Sequence, residues 1–209
     1  MLRISCPKTE RIRQWLDEQS KWELTYPEIG QTGSEAGMPD GYYHLNVEQK
    51  IGSGRATFQT AVHSLQQWTC FKLNWTRIVF DGVPQVGRQI AVAARVGGLW
   101  SVNCCRLIAH DAGQSDTNSW SFTVGTLPRH MAIGEEQISL RFDTETGDVI
   151  YRVRSFSRPN WWLARWVTPL VRRQQRRFCR ESAAALIRFV RAQDPVGPSV
   201  QFPASESVA

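Results

Sequence analysis

No apolar run in this sequence approaches the ~20 residues that a membrane-spanning helix requires. The first residues also lack the apolar core of a secretory signal. The 5 cysteines are Cys6, Cys70, Cys104, Cys105 and Cys179. Their number is odd, two are adjacent, and no metal-type spacing occurs among them. They read as reduced thiols, which predicts a cytoplasmic protein. His44 and His63 stand alone without ligand spacing, so neither a metal nor a cofactor is expected. The sequence has no phosphate loop, no nucleophile elbow and no zinc-protease motif. Gly52-Ser53-Gly54-Arg55 precedes a helical pattern and could hold an anion at a helix N-terminus. No further phosphate-binding residues accompany it, and a strand-to-helix turn is the plainer reading.

The chain is rich in tryptophan, with 9 among 209 residues, and carries a net charge of +6. So many large amphipathic rings imply a thick core, a binding cavity or an interface. The positive balance permits an acidic partner such as nucleic acid or an anionic lipid surface. With 42% hydrophobic and 21% charged residues, the composition is that of an ordinary globular protein. A chain of this length buries roughly 70% of its unfolded surface and needs no metal or disulfide staple. One domain is expected over residues 1–193. The small, polar remainder, 194–209, is expected to be a disordered tail.

The longest helical pattern lies near the C-terminus. Pro159 suits a first helical turn, and Thr168-Pro169 repeats the signal as a cap followed by a first-turn proline. This predicts a short helix over 159–167, a break at Thr168 and a longer helix over 169–192. At about 100° per residue, Arg172, Arg173, Arg176, Arg177 and Arg180 share one arc. Val171, Gln174, Phe178, Ala185, Leu186 and Phe189 share the opposite arc, which must cover something apolar. The arginine arc is either a solvated face or a surface for an anionic partner.

Earlier segments fill in the fold. Residues 7–19 read as a helix, 22–26 as a short strand, 27–41 as loop, 43–51 as a strand and 57–69 as a helix. Six strand-like runs follow, over 74–80, 88–96, 100–109, 120–127, 135–142 and 149–156. Glycine and aspartate punctuate them as antiparallel hairpins require. Such short connections exclude parallel crossovers. The expected class is α+β, with a curved antiparallel sheet of about seven strands wrapped around a long C-terminal helix, the helix-grip layout. A flatter α+β sandwich with a filled core is the alternative.

Alternation along the strands assigns faces. Ile138, Leu140 and Phe142 carry Glu136 inward and leave Glu135 outside. Trp100, Val102, Cys104 and Ile108 would carry Arg106 inward. Trp120, Phe122, Val124 and Thr126 point in, as do Val149, Tyr151, Val153 and Ser155. A buried carboxylate or guanidinium is costly unless paired. Arg106 and Glu136 are therefore expected to meet directly or through a ligand, unless a one-residue bulge turns Glu136 outward. His130, in the turn before Glu135 and Glu136, is either an acid–base group or a hydrogen-bonded turn residue.

The ordered cluster Leu24-Thr-Tyr-Pro-Glu-Ile-Gly-Gln-Thr32, Pro39-Asp-Gly-Tyr42, Gly52-Ser-Gly54, Trp68, Phe122-Thr-Val-Gly-Thr-Leu-Pro-Arg-His130, Gly134-Glu-Glu136 and Phe156-Ser-Arg-Pro159 resembles uncharacterised protein family 0548, a domain-of-unknown-function family. The likeness runs over about residues 24–189. The family pattern has Tyr where this chain has Val124, and Gly where it has Arg129. The resemblance implies one domain with a fold similar to START-like and polyketide-cyclase-like helix-grip proteins, and it implies no activity.

Together these features predict a protein that binds a small hydrophobic or amphipathic molecule between sheet and helix. Trp120, Phe122, Leu140, Tyr151, Trp166 and Phe178 would line the cavity. Arg106, Thr126, Glu136 and His130 would orient the polar end, with Arg106 anchoring an acid. One alternative is an enzyme using Glu136 and His130 for proton transfer in that cavity. The other is a module that binds anionic lipid or nucleic acid through the arginine arc.

Overall fold

The computed structural model describes residues 2–34, 37–80, 82–111, 118–160 and 164–193, with backbone alone at 164–168. The strands are β1 (Leu2–Arg3), β2 (Tyr43–Ser53), β3 (Thr76–Val79), β4 (Gln89–Val96), β5 (Leu99–Asp111), β6 (Ser119–Thr126), β7 (Ala132–Phe142) and β8 (Asp148–Pro159). The helices are α1 (Thr9–Gln19), α2 (Arg55–Gln66) and α3 (Ala164–Gln193), with short 3-10 turns at Gln31–Gly33 and Thr69–Phe71.

All pairings are antiparallel, in the order β2-β8-β7-β6-β5-β4-β3, and β1 adds to β5 at its first residues. β3 to β8 follow one another as hairpins because each connection is short and rich in turn residues. Between β4 and β5 the loop is Gly97-Gly98, with φ of +57° and +85°. Only glycine takes both values without strain, and such a two-residue turn matches the twist of the strands. Register shifts at Lys50/Gly52 in β2 and Leu107/Ala109 in β5 bend the ribbon.

The concave face is covered by α2, the Thr69–Phe71 turn and α3. Its core joins Leu45, Phe58, Leu65, Trp68, Phe71, Leu107, Trp120, Phe122, Ile138, Leu140, Tyr151 and Leu186. The other face has its own core, in which Ile12, Trp15 and Leu16 of α1 pack on Ala91, Ala93, Val102, Cys104 and Leu127. This is the helix-grip fold.

Three sequence expectations fail in detail. Residues 22–26 form no strand, although Thr25 N–H still donates to the Thr126 carbonyl at 3.1 Å. Pro159 ends β8, opposite Ala132, rather than opening a helix. α3 runs without a break through Thr168 and contains Pro169 near its start. There the proline removes one intrahelical bond in the first turns, where the helix tolerates it better than in its middle. The expectation for 194–209 lies outside the described residues.

Candidate functional site

β7 carries two adjacent glutamates, and the pleat sends them to opposite faces. The register of β7 against β8 runs without a shift from Ala132 to Phe142. No bulge turns Glu136 away, and it lies on the concave face.

Glu135 goes to the other face and is 2% exposed. The 24–34 segment folds over it. Its carboxylate accepts hydrogen bonds from the Tyr26 hydroxyl at 3.0 Å, Gly30 N–H at 2.7 Å and Thr32 N–H at 2.9 Å. The Thr32 hydroxyl donates a further short bond. Burial and the adjacent carboxylate push the Tyr26 phenol well above its ordinary range. Gly125 makes room for this clasp, because a Cβ there would collide with the Tyr26 hydroxyl oxygen, and Gly134 lets β8 come close, because a Cβ there would collide with the Phe156 carbonyl. Several residues of the family-like cluster thus serve one structural device.

Glu136 has a different setting. Its strand neighbours are Ser155 on one side and Val124 on the other. The next row across the sheet contains Tyr43, Ser157 and Gly134. Ser155, Ser157 and Gly134 are small, Val124, Leu45 and Tyr43 are larger, and Cys179 of α3 faces it. Gln175 of α3 donates to the Ser157 hydroxyl at 3.0 Å. Tyr151 donates to Ser182 at 3.0 Å and ties β8 to α3. Ser155 is 3% exposed, and its hydroxyl has no hydrogen-bond partner.

The Glu136 carboxyl has neither a hydrogen bond nor an ion pair among the described residues. Desolvation alone acts on it and raises its pKa from 4.5 to about 7. The side chain is nevertheless only half-buried. α3 packs across this part of the sheet, against β2 and β8. The surroundings of Glu136 hold Cys105, Cys70, Tyr151 and Cys179, all close enough for it to raise their pKa values after burial has done so. The Cys179 thiol is pushed up to about 12, so it is no nucleophile at neutral pH.

The other expected residues divide between packing and different places. Trp120, Phe122, Leu140 and Tyr151 are each at most 1% exposed. They belong to the solid part of the concave core and present no surface to a hollow. Phe178 stacks on Phe71 with ring centroids 5.3 Å apart, and Phe71 reaches Phe122 at 6.4 Å. Thr126 is used up between the Thr25 hydroxyl and Gly134 N–H. The side chain of Trp166 lies outside the described residues.

Arg106 corrects the expectation of an inward guanidinium. It projects from the opposite face of β5 and donates to the Ser20 and Trp22 carbonyls at 2.9 and 2.8 Å. The apolar set that shares its parity is real, but it faces α1. Arg106 and Glu136 are therefore on opposite sides of the sheet. His130 is a turn residue. Its Nδ1 accepts from Ala132 N–H at 2.9 Å, and burial lowers its pKa to about 4. A strand rises about 3.3 Å per residue, which sets Ala132 roughly 13 Å from Glu136. His130 and Glu136 are not brought together as an acid–base pair. In the arginine arc, Arg172 lies over the Tyr43 ring at 4.3 Å and Arg177 pairs with Glu181 at 2.6 Å. Arg173, Arg176 and Arg180 are exposed. Among the described residues no helix is long and apolar enough to cross a membrane, and no His, Cys, Asp or Glu cluster could hold a metal.

The sequence missed Ser157, Cys105, Cys179 and Gln175 as neighbours of Glu136. Their small or polar side chains give no periodic apolar signal.

Comparison with known proteins agrees with this architecture. The sequence model of a family described as a domain of unknown function, DUF1990, matches residues 25–185. A UPF0548 protein of Dictyostelium discoideum is 27% identical over 201 residues, covering 88% of this chain and 93% of its own. A UPF0548 protein of Arabidopsis thaliana is 26% identical over 156 residues, covering 73% and 76%. Among solved structures, the Zhui aromatase/cyclase of a Streptomyces species superposes with a TM-score of 0.51 at 9% identity, over 75% of this chain and 99% of that one. That last likeness is one of fold alone.

Proposed function

The chain belongs to the DUF1990 family, and from that premise we propose that it binds a small, largely apolar molecule beside Glu136, between the concave sheet face and α3. The observation that carries this reading is the carboxyl of Glu136, unpartnered among the described residues and desolvated, on a side chain that keeps some exposure. Ligand pockets have this make-up, a mostly apolar wall with a few placed polar groups. A protein that needed only stability would gain by replacing an unpaired buried carboxyl with an apolar residue. The polar end of the guest sits at Glu136 and the Ser155 hydroxyl, and its apolar body runs along α3. The packed rings of Trp120, Phe122 and Tyr151 lie in the core next to the site. The five free thiols fit a reducing compartment such as the cytoplasm.

A single observation favours a second reading. A carboxyl with a pKa of about 7 suits proton transfer at neutral pH. It stands without a basic partner among the described residues, so binding ranks first. Nothing on the arginine arc favours an anionic partner over solvent, since two of its five members are engaged within the fold.

Native mass spectrometry of the protein released from its host tests the binding reading. The expected result is a co-purified small molecule that is lost when Ser155 is replaced by Leu, which would fill the space. A spectrum with no adduct, together with unchanged binding of added amphiphiles in Ser155→Leu, would remove the site from this place.

A further inference from the structure

Among the described residues no opposite charge pairs with Glu136. The elements packed around Glu136 present Cys105 from β5, Cys70 from the Thr69–Phe71 turn, Tyr151 from β8 and Cys179 from α3. β6 contributes Val124 and β2 contributes Leu45, neither of which titrates, and one row further Tyr43 of β2 lies under Arg172 of α3, which makes no ion pair with Glu136. Ser155, Ser157, Ser182 and Gln175 are neutral. Among the described residues no lysine or arginine side chain pairs with this group; Arg154, beside Ser155 in register, donates to the Ser34 carbonyl, and Arg106 is on the far side of the sheet.

The Ser155 hydroxyl supplies an independent observation. It sits directly opposite Glu136 in the β7–β8 register, is 3% exposed, and lacks any partner. A buried hydroxyl left unpaired is costly, and in a ligand site the missing partner belongs to the guest. A carboxylate and a hydroxyl can both accept, so the complementary guest is a donor with more than one N–H.

We infer that the molecule bound here carries a protonated amine, which donates to Glu136 and to the Ser155 hydroxyl, and that carboxylic acids are excluded. The inference rests on the binding reading above and narrows its ligand class. An ammonium group makes a charge-assisted bond with the carboxylate and supplies the missing counter-charge. A neutral alcohol makes only an ordinary hydrogen bond. A carboxylate guest would set two like charges together in a poorly solvated space. The acid-binding role expected of an inward arginine therefore reverses.

Three probes of equal chain length separate these cases: n-decylamine, 1-decanol and decanoate, titrated calorimetrically into the full chain at constant ionic strength. At pH 8 the amine is expected to bind at least about tenfold more tightly than the alcohol, and the acid at least about tenfold more weakly. The amine should weaken between pH 8 and pH 5.5 as Glu136 takes up a proton, while the alcohol stays constant. This pH comparison needs no variant. In Glu136→Gln, a near-isosteric change, the three probes should converge to within about threefold. If the alcohol binds but the amine gains nothing over it, the amine assignment is overturned and the binding site stands; if Glu136→Gln leaves the amine's advantage intact, the probes bind elsewhere and both are overturned. If none of the three binds, both are overturned.

Discussion

Replacing Glu136 by Gln should make the protein more stable, and only above a particular pH. The folded carboxyl titrates near 7 because burial disfavours its charged form, against 4.5 for the unperturbed group. Below pH 4.5 the folded and unfolded chains both hold the proton, so Glu136 adds no pH-dependent term there. Between pH 4.5 and 7 the unfolded chain gives up a proton that the folded chain keeps, so stability falls as pH rises. Above pH 7 the folded chain carries an unpaired carboxylate and the full cost remains. A gap of about 2.5 units at 1.36 kcal/mol each gives about 3 kcal/mol as a ceiling. Accessible surface on the carboxyl reduces this, and about 1–3 kcal/mol is the expected range. Glutamine never ionises and escapes the cost. Urea unfolding of both proteins at half-unit steps from pH 4.5 to pH 8.5 reads the difference directly. Glu136→Gln should match the parent near pH 4.5 and exceed it by about 1–3 kcal/mol at pH 8, or roughly 3–10 °C in Tm. A difference that does not change with pH, or a less stable variant at pH 8, would refute the placement of this carboxyl.

Other expectations concern the neighbouring devices. Glu135→Ala strips four donors of their shared acceptor in a buried clasp, so urea unfolding should show a loss of about 3–5 kcal/mol at pH 7. Gly134→Ala sets a new methyl against the Phe156 carbonyl at a φ of +144° and should destabilise by more than about 3 kcal/mol or prevent folding, as judged by circular dichroism and soluble yield. Arg106→Ala should cost about 1 kcal/mol through its lost bonds beyond the α1 end, while decylamine affinity stays within about twofold of the parent. Tyr151→Phe removes the link to Ser182 and should cost about 1–2 kcal/mol in the same urea assay.

Much of the architecture was legible because hairpins announce themselves. Gly97-Gly98 and the Thr146-Gly147-Asp148 turn mark chain reversals, and the runs between them alternate. What alternation could not say was which apolar face lies under which cover. In β5 the residues Val102 and Cys104 face α1, while Cys105 and Leu107 face the concave core. Both faces are apolar there, so parity alone could not choose, and Arg106 was assigned to the wrong side. In β7 parity did place Glu136 on the concave face. It could not foresee that Glu135 would also be buried, because the segment that covers it, residues 24–34, has no periodic pattern. On α3 the buried residues are Cys179, Ser182, Ala183, Ala185, Leu186 and Val190, of which Ala185 and Leu186 were on the expected arc. The small residues among them carry a weaker apolar signal than Phe178 and Phe189, and the expected arc was rotated toward the bulkier side chains. The large aromatic rings expected to line a cavity are packed core, and Glu136 beside them keeps some exposure.

The central claim is that Glu136 borders an enclosed space on the concave face and has no partner of its own there. Carbon-13 NMR titration of the Glu136 carboxyl, assigned by comparison with Glu136→Gln, measures this directly. A midpoint of about 7 that shifts downward when decylamine is added is the predicted result. A midpoint in the ordinary range near 4.5, unmoved by the amine, would contradict the account.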